Sequence, residues 1–369
     1  MAIRVFVPRW MDEANTNAQN LNAKGMLSRF SDPRAHWTAL CGDQPAEFIR
    51  HNGIQTIRVS NTRWHELRTA VAYQSKFDAI FYPVPDRSDE IGLRLRRLLK
   101  RKIPVIATVE GVAASADNVR QLSDLLGHRV FPEPFCERFL PRLRYLYGQA
   151  DHIIAISPFL ARVAKFLYGD KVSWLPLGVE TSVFYPAGYQ PLPRCRVIGC
   201  GSVKPRKNPQ TFLQLAARYK EADFVWFGDG AMRPQLVAET RKMGLDNIRF
   251  PGPMQPGPLA DEFRNSSLFV LPSYSEGVPK VTHEAAACGL PIVLNGFYEA
   301  PTVVHEYNGL VAWSDEELIE HVGTLIRDPD LRATMGRRSA TMAKDWDWDR
   351  IAPQWEDLIL RLATSQNLG

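Results

Sequence analysis

Residues 273–292 read Ser-Tyr-Ser-Glu-Gly-Val-Pro-Lys-Val-Thr-His-Glu-Ala-Ala-Ala-Cys-Gly-Leu-Pro-Ile. The stretch predicts a loop after one strand, then a helix, then the start of the next strand, with Glu276 in the loop and Glu284 inside the helix. Small residues follow Glu284, so the helix is expected to pack tightly, and a carboxylate there needs a polar partner. Vicinal hydroxyls of a ribose or a hexose would bind it through both oxygens. The alternative is a Glu276 that caps the helix and a Glu284 that lies on the surface.

The same order of strand, loop and helix recurs along the whole chain, which is typical of β-α units on parallel sheets. The first predicted series of strands comprises residues 3–7, 37–41, 56–59, 79–82, 105–108, 153–156 and 172–175. The second comprises residues 197–201, 224–227, 248–250, 268–271, 292–294 and 310–312. Between the two series, residues 185–194 contain three prolines and one glycine, a composition that suits a linker.

These patterns predict three parts of the chain: a doubly wound α/β domain over residues 1–188, a second one over residues 189–345, and a final helical segment over residues 346–369. Ser314 precedes three acidic residues and a helical apolar pattern, so a capped helix is expected to begin there. Doubly wound sheets bind ligands at the carboxyl ends of their strands, so the active site is expected in a cleft between the two domains.

Composition narrows the class of protein. The chain has 369 residues, of which 45% are hydrophobic, and a formal net charge of +5. That length fits about two domains. No run approaches the roughly 18 apolar residues that a membrane-spanning helix needs, so a soluble protein is expected. So small a charge excess does not indicate nucleic-acid binding.

The cysteines and the start of the sequence predict a cytoplasmic protein with free thiols. No Cys-x-x-Cys pair occurs, and the first residues are too few and too polar for a signal peptide. The cysteines are Cys41, Cys136, Cys195, Cys200 and Cys288. Cys195 and Cys200 lie on one predicted strand with side chains on opposite faces, which disfavours a metal site between them.

A cluster of cations follows the first strand of the second series. Residues 202–209 read Ser-Val-Lys-Pro-Arg-Lys-Asn-Pro and place Lys204, Arg206 and Lys207 before a predicted helix. A helix N-terminus and three cations would form a cradle for a diphosphate, and the alternative is a solvated basic turn. The next strand ends in Phe-Gly-Asp-Gly, where Gly228 and Gly230 permit close approach of the backbone to a ligand or to a neighbouring helix.

Four motifs in this order closely resemble the retaining family-4 glycosyltransferases. The motifs are Gly-Ser-Val-Lys-Pro-Arg-Lys-Asn (201–208), Phe-Gly-Asp-Gly (227–230), Glu-Gly-Val-Pro-x4-Glu-Ala-x3-Gly-Leu-Pro (276–291) and Tyr-Asn-Gly-Leu-Val (307–311). The resemblance covers residues 195–350, with weaker similarity over 151–186. It implies the GT-B fold of two facing Rossmann-like domains, with a last helix that crosses back to the first domain.

The resemblance further implies a UDP- or GDP-sugar donor on the second domain and an acceptor on the first. Glu284 would bind the ribose, Glu276 the sugar hydroxyls and Lys207 the diphosphate, on whose departing oxygen charge develops during transfer. The implied donor-binding set is Ser202, Lys204, Arg206, Lys207, Gly228, Gly230, Gly277, Val278, Pro279, Lys280 and Glu284. Neither a cofactor nor a metal ion is expected.

Two positions depart from the family pattern. Many relatives have an arginine where this chain has Ser202, and Lys204 or Arg206 would then have to replace its charge. Where relatives commonly carry a histidine after the strand at 105–108, this chain has Glu110. Glu110 is the third catalytic candidate beside Glu276 and Lys207, as a ligand of acceptor hydroxyls or an amine or as a base, and the alternative is a turn carboxylate without a function.

Other segments suggest partners. Residues 93–102 predict a helix with six cations. One interpretation is a peripheral contact with the inner face of a membrane, and the other is a crossover helix with a basic outer face. Residues 131–147 predict another helix, beside an acceptor groove or packed in the core. The acceptor is expected to be a saccharide, a lipid-linked saccharide or a small metabolite. Asp345-Trp-Asp-Trp-Asp349 is interpreted as a helix start and not as a metal site.

Two other functions stay open at this stage. A non-catalytic subunit that binds a nucleotide sugar would explain Ser202 and Glu110. An epimerase or a phosphorylase would keep the fold and change the chemistry.

Overall fold

A computed structural model describes residues 2–10, 18–41, 53–58, 76–84, 89–99, 103–132, 134–187 and 193–365. The chain forms two compact units. The first unit contains Met1–Leu125, Pro132–Gly178 and Trp348–Gly369, and the second contains Leu126–Phe131 and Val179–Asp347. Apart from the short segment 126–131, the chain passes from the first unit to the second after Gly178 and returns after Asp347, where the sequence predicted boundaries at 188 and 345.

Strands and helices alternate in both units. The strands are β1 (Ile3–Trp10), β2 (Ala35–Cys41), β3 (Gln55–Arg58), β4 (Ala79–Tyr82), β5 (Val105–Val109), β6 (His152–Ala155), β7 (Val172–Trp174), β8 (Arg196–Cys200), β9 (Asp223–Phe227), β10 (Ile248–Gly252), β11 (Leu268–Leu271), β12 (Ile292–Asn295) and β13 (Gly309–Ala312). The helices are α1 (Ala18–Leu27), α2 (Asp89–Leu98), α3 (Ala116–Leu126), α4 (Pro134–Gln149), α5 (Pro158–Tyr168), α6 (Pro209–Arg218), α7 (Arg233–Lys242), α8 (Pro256–Arg264), α9 (Lys280–Ala287), α10 (Asp315–Arg327), α11 (Pro329–Ala343) and α12 (Trp348–Ser365). Every predicted apolar run is a strand, so the α/β class is confirmed.

The first unit is built on a parallel sheet in the order β3-β2-β1-β4-β5-β6-β7. Its central strands β4 and β5 are buried along their whole length, because helices cover both faces of such a sheet. Helix α12 packs on this unit through Trp348, whose ring lies so close to Gly25 that a Cβ there would be 2.6 Å from it. Trp355 Nε1 also donates to the carbonyl of Pro176 (2.8 Å).

The second unit is built on a parallel sheet in the order β10-β9-β8-β11-β12-β13. The order reverses between β8 and β11, and the crevice at such a reversal, outside the carboxyl ends of the strands, is where doubly wound sheets bind ligands. Large side chains such as Phe212, Phe224 and Trp226 fill the core. The predicted capped helix is confirmed, since the Ser314 side chain accepts from the backbone N–H of Glu317 (3.1 Å) at the start of α10.

Other predictions concern thiols and surface helices. Cys41, Cys195, Cys200 and Cys288 are free thiols, and the side chain of Cys136 lies outside the described residues. The predicted basic helix is present as α2, although residues 100–102 of that prediction also lie outside them. Within the described ranges, none of the helices combines the length and the apolar character needed to cross a membrane.

Candidate functional site

Two loops meet at the carboxyl ends of β8 and β11. Residues 201–208 follow β8 and residues 272–279 follow β11, and neighbouring parallel strands bring their carboxyl ends to one edge of the sheet. The backbone N–H of Tyr274 donates to the carbonyl of Arg206 (3.0 Å), and the Arg206 side chain donates to the carbonyl of Ser275. We call these segments the cation loop (201–208) and the glutamate loop (272–279).

Glu276 joins the two loops through an ionic cluster with both neighbouring cations. Lys207 Nζ lies 2.5 Å from Glu276 Oε1, and Arg206 Nη1 lies 2.8 Å from Oε2. Glu276 is 6% exposed and Lys207 is 8% exposed. Burial alone would raise the pKa of Glu276, but the charges of Lys207 and Arg206 outweigh it and lower that pKa below its usual value. This Glu276 triad therefore carries a net charge of +1 in a buried setting.

Glu284 lies on α9 in the same edge region and has a much weaker partner. The carboxylate is buried, and Lys280 Nζ is 3.9 Å from its Oε1. Burial raises the pKa of Glu284, and the charge of Lys280 offsets only part of this effect. A buried carboxylate with one distant cation is suited to accept hydrogen bonds from a ligand.

Cys200 was expected only as a core or surface thiol, and the charges of Glu284 and Lys207 both act on it. Burial raises the pKa of its thiol to about 12, the charge of Glu284 adds to this effect, and the charge of Lys207 opposes it. The thiol is therefore protonated and inert. It is buried at the end of β8, directly before the cation loop.

The cation loop shows where Ser202 and the neighbouring cations lie. Ser202 is half-buried and Lys204 is exposed, whereas Arg206 is the cation that reaches Glu276. An arginine is thus present beside Lys207, four residues later in the chain than the position where many relatives carry one.

Gly228 and Gly230 lie where the loop after β9 packs so closely on the cation loop that no side chain fits. A Cβ at Gly228 would lie 2.0 Å from the carbonyl oxygen of Gly201, and Gly228 has a φ of +140°. A Cβ at Gly230 would lie 2.3 Å from the carbonyl oxygen of Val203. The loop after β9 therefore packs directly against the backbone of the cation loop. Contact of these glycines with a donor stays a prediction.

The glutamate loop leads directly into α9. Gly277, Val278 and Pro279 are buried, Pro279 precedes the first turn of the helix, and Lys280 opens it. His283 is also buried on this helix, and its ring packs edge-to-face on Trp346 with centroids 5.1 Å apart. Burial lowers the pKa of His283 to about 3, so the ring is neutral.

The short segment 126–131, which sequence reasoning did not connect with this site, belongs to the second unit. Its Phe131 ring stacks on Tyr274 with centroids 5.4 Å apart, and the Phe131 carbonyl accepts from Ser275 Oγ (2.9 Å). The prediction of a helix from residue 131 is corrected by the structure, in which α4 starts at Pro134. Pro132 and Pro134 were the signal, because the residue before a proline avoids helical backbone.

Glu110 is in the first unit, at the carboxyl end of β5, and it is half-exposed beside Asn22 and Thr108. The other two catalytic candidates, Glu276 and Lys207, are in the second unit. Among the residues that the structure describes, no three His, Cys, Asp or Glu side chains form a group that could hold a metal ion. In the Asp345–Asp349 segment, Asp347 accepts from Thr181 Oγ1 and Asp349 pairs with Arg29.

Comparison with known proteins identifies the second unit. Residues 194–328 match the family model of glycosyl transferases group 1. These residues are therefore similar to the glycosyl transferases group 1 family. The matched residues include the cation loop, the glutamate loop and α9.

The curated proteins that this chain resembles are glycosyltransferases. The alpha-galactosylglucosyldiacylglycerol synthase of Streptococcus pneumoniae is 24% identical over 59% of this chain and 63% of its own length. A D-inositol 3-phosphate glycosyltransferase of Kribbella flavida is 30% identical over 55% of this chain and 54% of its own length. The match thus spans between about half and two thirds of these relatives.

Solved structures share the fold over nearly the whole chain. The sucrose-phosphate synthase of Thermosynechococcus elongatus superimposes with a TM-score of 0.78 at 17% identity, covering 98% of this chain and 100% of that chain. HepE of Anabaena in complex with UDP-glucose gives a TM-score of 0.73 at 16% identity, over 97% of this chain and 100% of that one. Two parallel α/β sheets matched at this coverage confirm the predicted GT-B fold class.

Proposed function

We propose that this protein is a glycosyltransferase that moves a sugar from a UDP- or GDP-sugar to a hydroxyl or an amine of an acceptor, with retention of anomeric configuration and without a metal ion. The observation that carries the proposal is the Glu276 triad, a buried cluster of net positive charge at the sheet reversal of a unit similar to the group 1 family. Such a cluster fits a diphosphate leaving group.

Lys207 and Arg206 would stabilise the departing diphosphate. Both cations are held by Glu276 before any substrate arrives, and charge stabilisation is strongest when the groups are already oriented. Glu276 therefore has two functions: it holds the cations, and its remaining lone pairs accept hydrogen bonds from the sugar hydroxyls. The excess positive charge of the triad supports our proposal that the step proceeds without a metal ion.

Glu284 would bind the vicinal hydroxyls of the ribose. In the free protein, burial raises the pKa of this carboxyl, so its charged form is under-stabilised. Two hydroxyl donors would supply the missing hydrogen bonds, which are stronger when the acceptor is charged. The buried loop from Gly277 to Pro279 and the first turn of α9 would enclose the donor on the same side.

The first unit would bind the acceptor, and Glu110 at the end of β5 is the candidate ligand for its hydroxyl or amine. The relatives named above act on lipid and inositol phosphate acceptors, and the related Anabaena structure holds UDP-glucose. For this chain we infer a saccharide, a lipid-linked saccharide or a small metabolite as acceptor. We infer no nucleic-acid partner and no cofactor.

We further propose a cytoplasmic protein that contacts the inner face of a membrane through α2. Leu98 is 77% exposed at its end, next to the exposed Arg97. Apolar and cationic side chains together favour binding to anionic lipid surfaces. Flotation with anionic vesicles tests this, and the double variant Leu98→Ser/Arg97→Ser is expected to stay in the unbound fraction.

A panel of UDP- and GDP-sugars, assayed with and without acceptors, tests the proposed function. We expect nucleoside diphosphate to be released when an acceptor is present, with an unchanged rate in EDTA and with retention seen in the NMR spectrum of the product. Glu276→Gln should abolish release, whereas Glu262→Gln, which removes a carboxylate paired with Arg196, should leave it intact.

Other outcomes of this panel contradict the proposal. If no donor is bound, transferred or hydrolysed, the function is wrong. Binding without turnover indicates the non-catalytic subunit, and conversion without release of nucleoside diphosphate indicates an epimerase. Consumption of inorganic phosphate indicates a phosphorylase.

A further inference from the structure

Asp315, the first residue of α10, contacts both functional loops at once. Its Oδ1 accepts from Asn208 Nδ2 (3.0 Å), and its Oδ2 accepts from the hydroxyl of Tyr274 (2.7 Å). Asn208 ends the cation loop and Tyr274 lies in the glutamate loop. One carboxylate, at the start of the helix that follows β13, therefore binds each loop with a separate oxygen.

The first contact fixes the residue that follows Lys207. Asn208 is buried and its backbone is left-handed, with φ of +48° and ψ of +50°. Asparagine tolerates this conformation better than most non-glycine residues, and two hydrogen bonds hold Asn208 in it. Its backbone N–H closes the turn on the carbonyl of Pro205 (3.0 Å), so the hydrogen bond to Asp315 stabilises the conformation that directs Lys207 toward Glu276.

The second contact fixes the residue two positions before Glu276. The Tyr274 hydroxyl is held by Asp315, its backbone N–H by the carbonyl of Arg206, and its ring stacks on Phe131. Burial, together with the hydrogen bond and the charge of Asp315, raises the pKa of Tyr274 well above its ordinary value, so the hydroxyl stays a donor.

We propose that Asp315 is a positioning residue for transfer, which sets the cation loop against the glutamate loop and so holds Lys207 and Arg206 on Glu276. This inference rests on the proposed function, and it adds a residue outside both loops to the donor site. Loss of Asp315 would let the two loops separate slightly. Displacements of about 1 Å in a site that stabilises charge can lower a rate by about a hundredfold.

The matched control is Glu316→Gln. Glu316 is the next residue in the first turn of α10, it is exposed, and its substitution removes the same charge from the same helix N-terminus. Asp315→Ala removes both contacts, whereas Asp315→Asn retains one acceptor oxygen. Tyr274→Phe and Asn208→Ala each remove one contact from the other side.

Hydrogen exchange of the ligand-free protein is the first measurement. In Asp315→Ala, amides of residues 203–208 and 273–279 should exchange faster than in Glu316→Gln, with the rest of the chain unchanged. Equal exchange in the two variants overturns the proposal whether or not the protein proves to be a glycosyltransferase.

Kinetics with the donor found in the panel are the second measurement. For Asp315→Ala we expect kcat to fall about ten- to a hundredfold and the donor KM to rise, with Asp315→Asn intermediate. Loss of folded protein alone would lower kcat and leave KM unchanged. In the Asp315→Ala background, Tyr274→Phe should have little further effect, and full additivity of the two changes refutes the inference.

Discussion

Replacing Glu276 with glutamine tests the triad without any assumption about the sugar. The carboxylate is buried, and each of its oxygens lies within 2.8 Å of a cation. Glutamine keeps the volume and one acceptor oxygen but removes the charge. Lys207, itself buried, then lies beside Arg206 with no counter-charge, and the net charge of the cluster rises from +1 to +2.

The magnitude follows from the burial of these groups. Breaking a buried ion pair by removing one partner costs about 3–5 kcal/mol, and the retained amide oxygen favours the lower end, about 3 kcal/mol. For a unit of about 150–250 residues, each kcal/mol shifts the melting temperature by about 2–4 °C. We therefore expect a fall of about 6–12 °C. The control Glu262→Gln breaks a half-exposed pair with Arg196, which is worth about 1 kcal/mol or less.

Scanning calorimetry with and without inorganic pyrophosphate is the assay. Because the variant cluster carries one more positive charge, pyrophosphate should stabilise Glu276→Gln more than the unaltered protein. Tenfold tighter binding would add about 1.4 kcal/mol at a fixed excess of ligand. A melting temperature no lower than that of Glu262→Gln, or an equal response of all proteins to pyrophosphate, would refute the view that Glu276 balances these cations.

Three further substitutions probe the same edge of the sheet. Burial raises the pKa of Glu284 in the folded protein, so the contribution of this carboxyl to stability is lost as the pH rises through that pKa. Glu284→Gln should therefore raise the melting temperature near pH 7 but not near pH 4. Calorimetry should also show weaker nucleotide binding by this variant. The pKa of His283 is lowered to about 3 in the folded protein, so as the pH falls from about 6 to about 4 only the unfolded chain gains a proton at this residue. The free energy of unfolding therefore decreases by about 1.4 kcal/mol for each pH unit. In urea titrations, His283→Gln should lack this dependence on pH. Gly228→Ala should cost several kcal/mol in the same titrations, because its Cβ would meet the carbonyl of Gly201, whereas Gly257→Ala, with open space around it, should stay within about 0.5 kcal/mol of the unaltered protein.

The strands could be predicted from the sequence because burial determines their composition. Parallel strands that helices cover on both faces are continuous apolar runs, and β4 or β11 cannot be mistaken for an amphipathic surface element. The start of α10 was predictable for a related reason, since Ser314 uses purely local chemistry to cap it. Both features depend only on residues that are near one another in the sequence, as did the proline signal that was missed before Pro134.

The pairing of Glu276 with Lys207 and Arg206 could not be predicted in the same way. The contacts join loops that are about 70 residues apart in the chain, and only the sheet order, with β11 beside β8, brings them together. The resemblance implied that Glu276 binds sugar hydroxyls and that Lys207 binds a diphosphate, and it did not connect the two residues. The structure shows that each is also the other's partner.

Asp315 illustrates a second reason for incomplete prediction. By sequence it is one of three acidic residues at a helix N-terminus, a position where carboxylates are common for their effect on the helix dipole. Nothing local distinguishes it from Glu316. Its contacts with Asn208 and Tyr274 arise because β13 ends next to β12 and delivers α10 to the edge where the cation and glutamate loops meet.

At this edge of the sheet, two charged groups of the free protein lack fully balancing partners. Glu284 is buried with a cation only at 3.9 Å, while the Glu276 triad retains an excess positive charge. A hydroxyl-bearing ribose would stabilise the first, and a diphosphate the second, so one nucleotide would relieve both at once. Under the proposed function, the stability that the free chain loses by burying Glu284 would return as binding free energy, and this is why Glu284→Gln is expected to stabilise the protein while it weakens nucleotide binding.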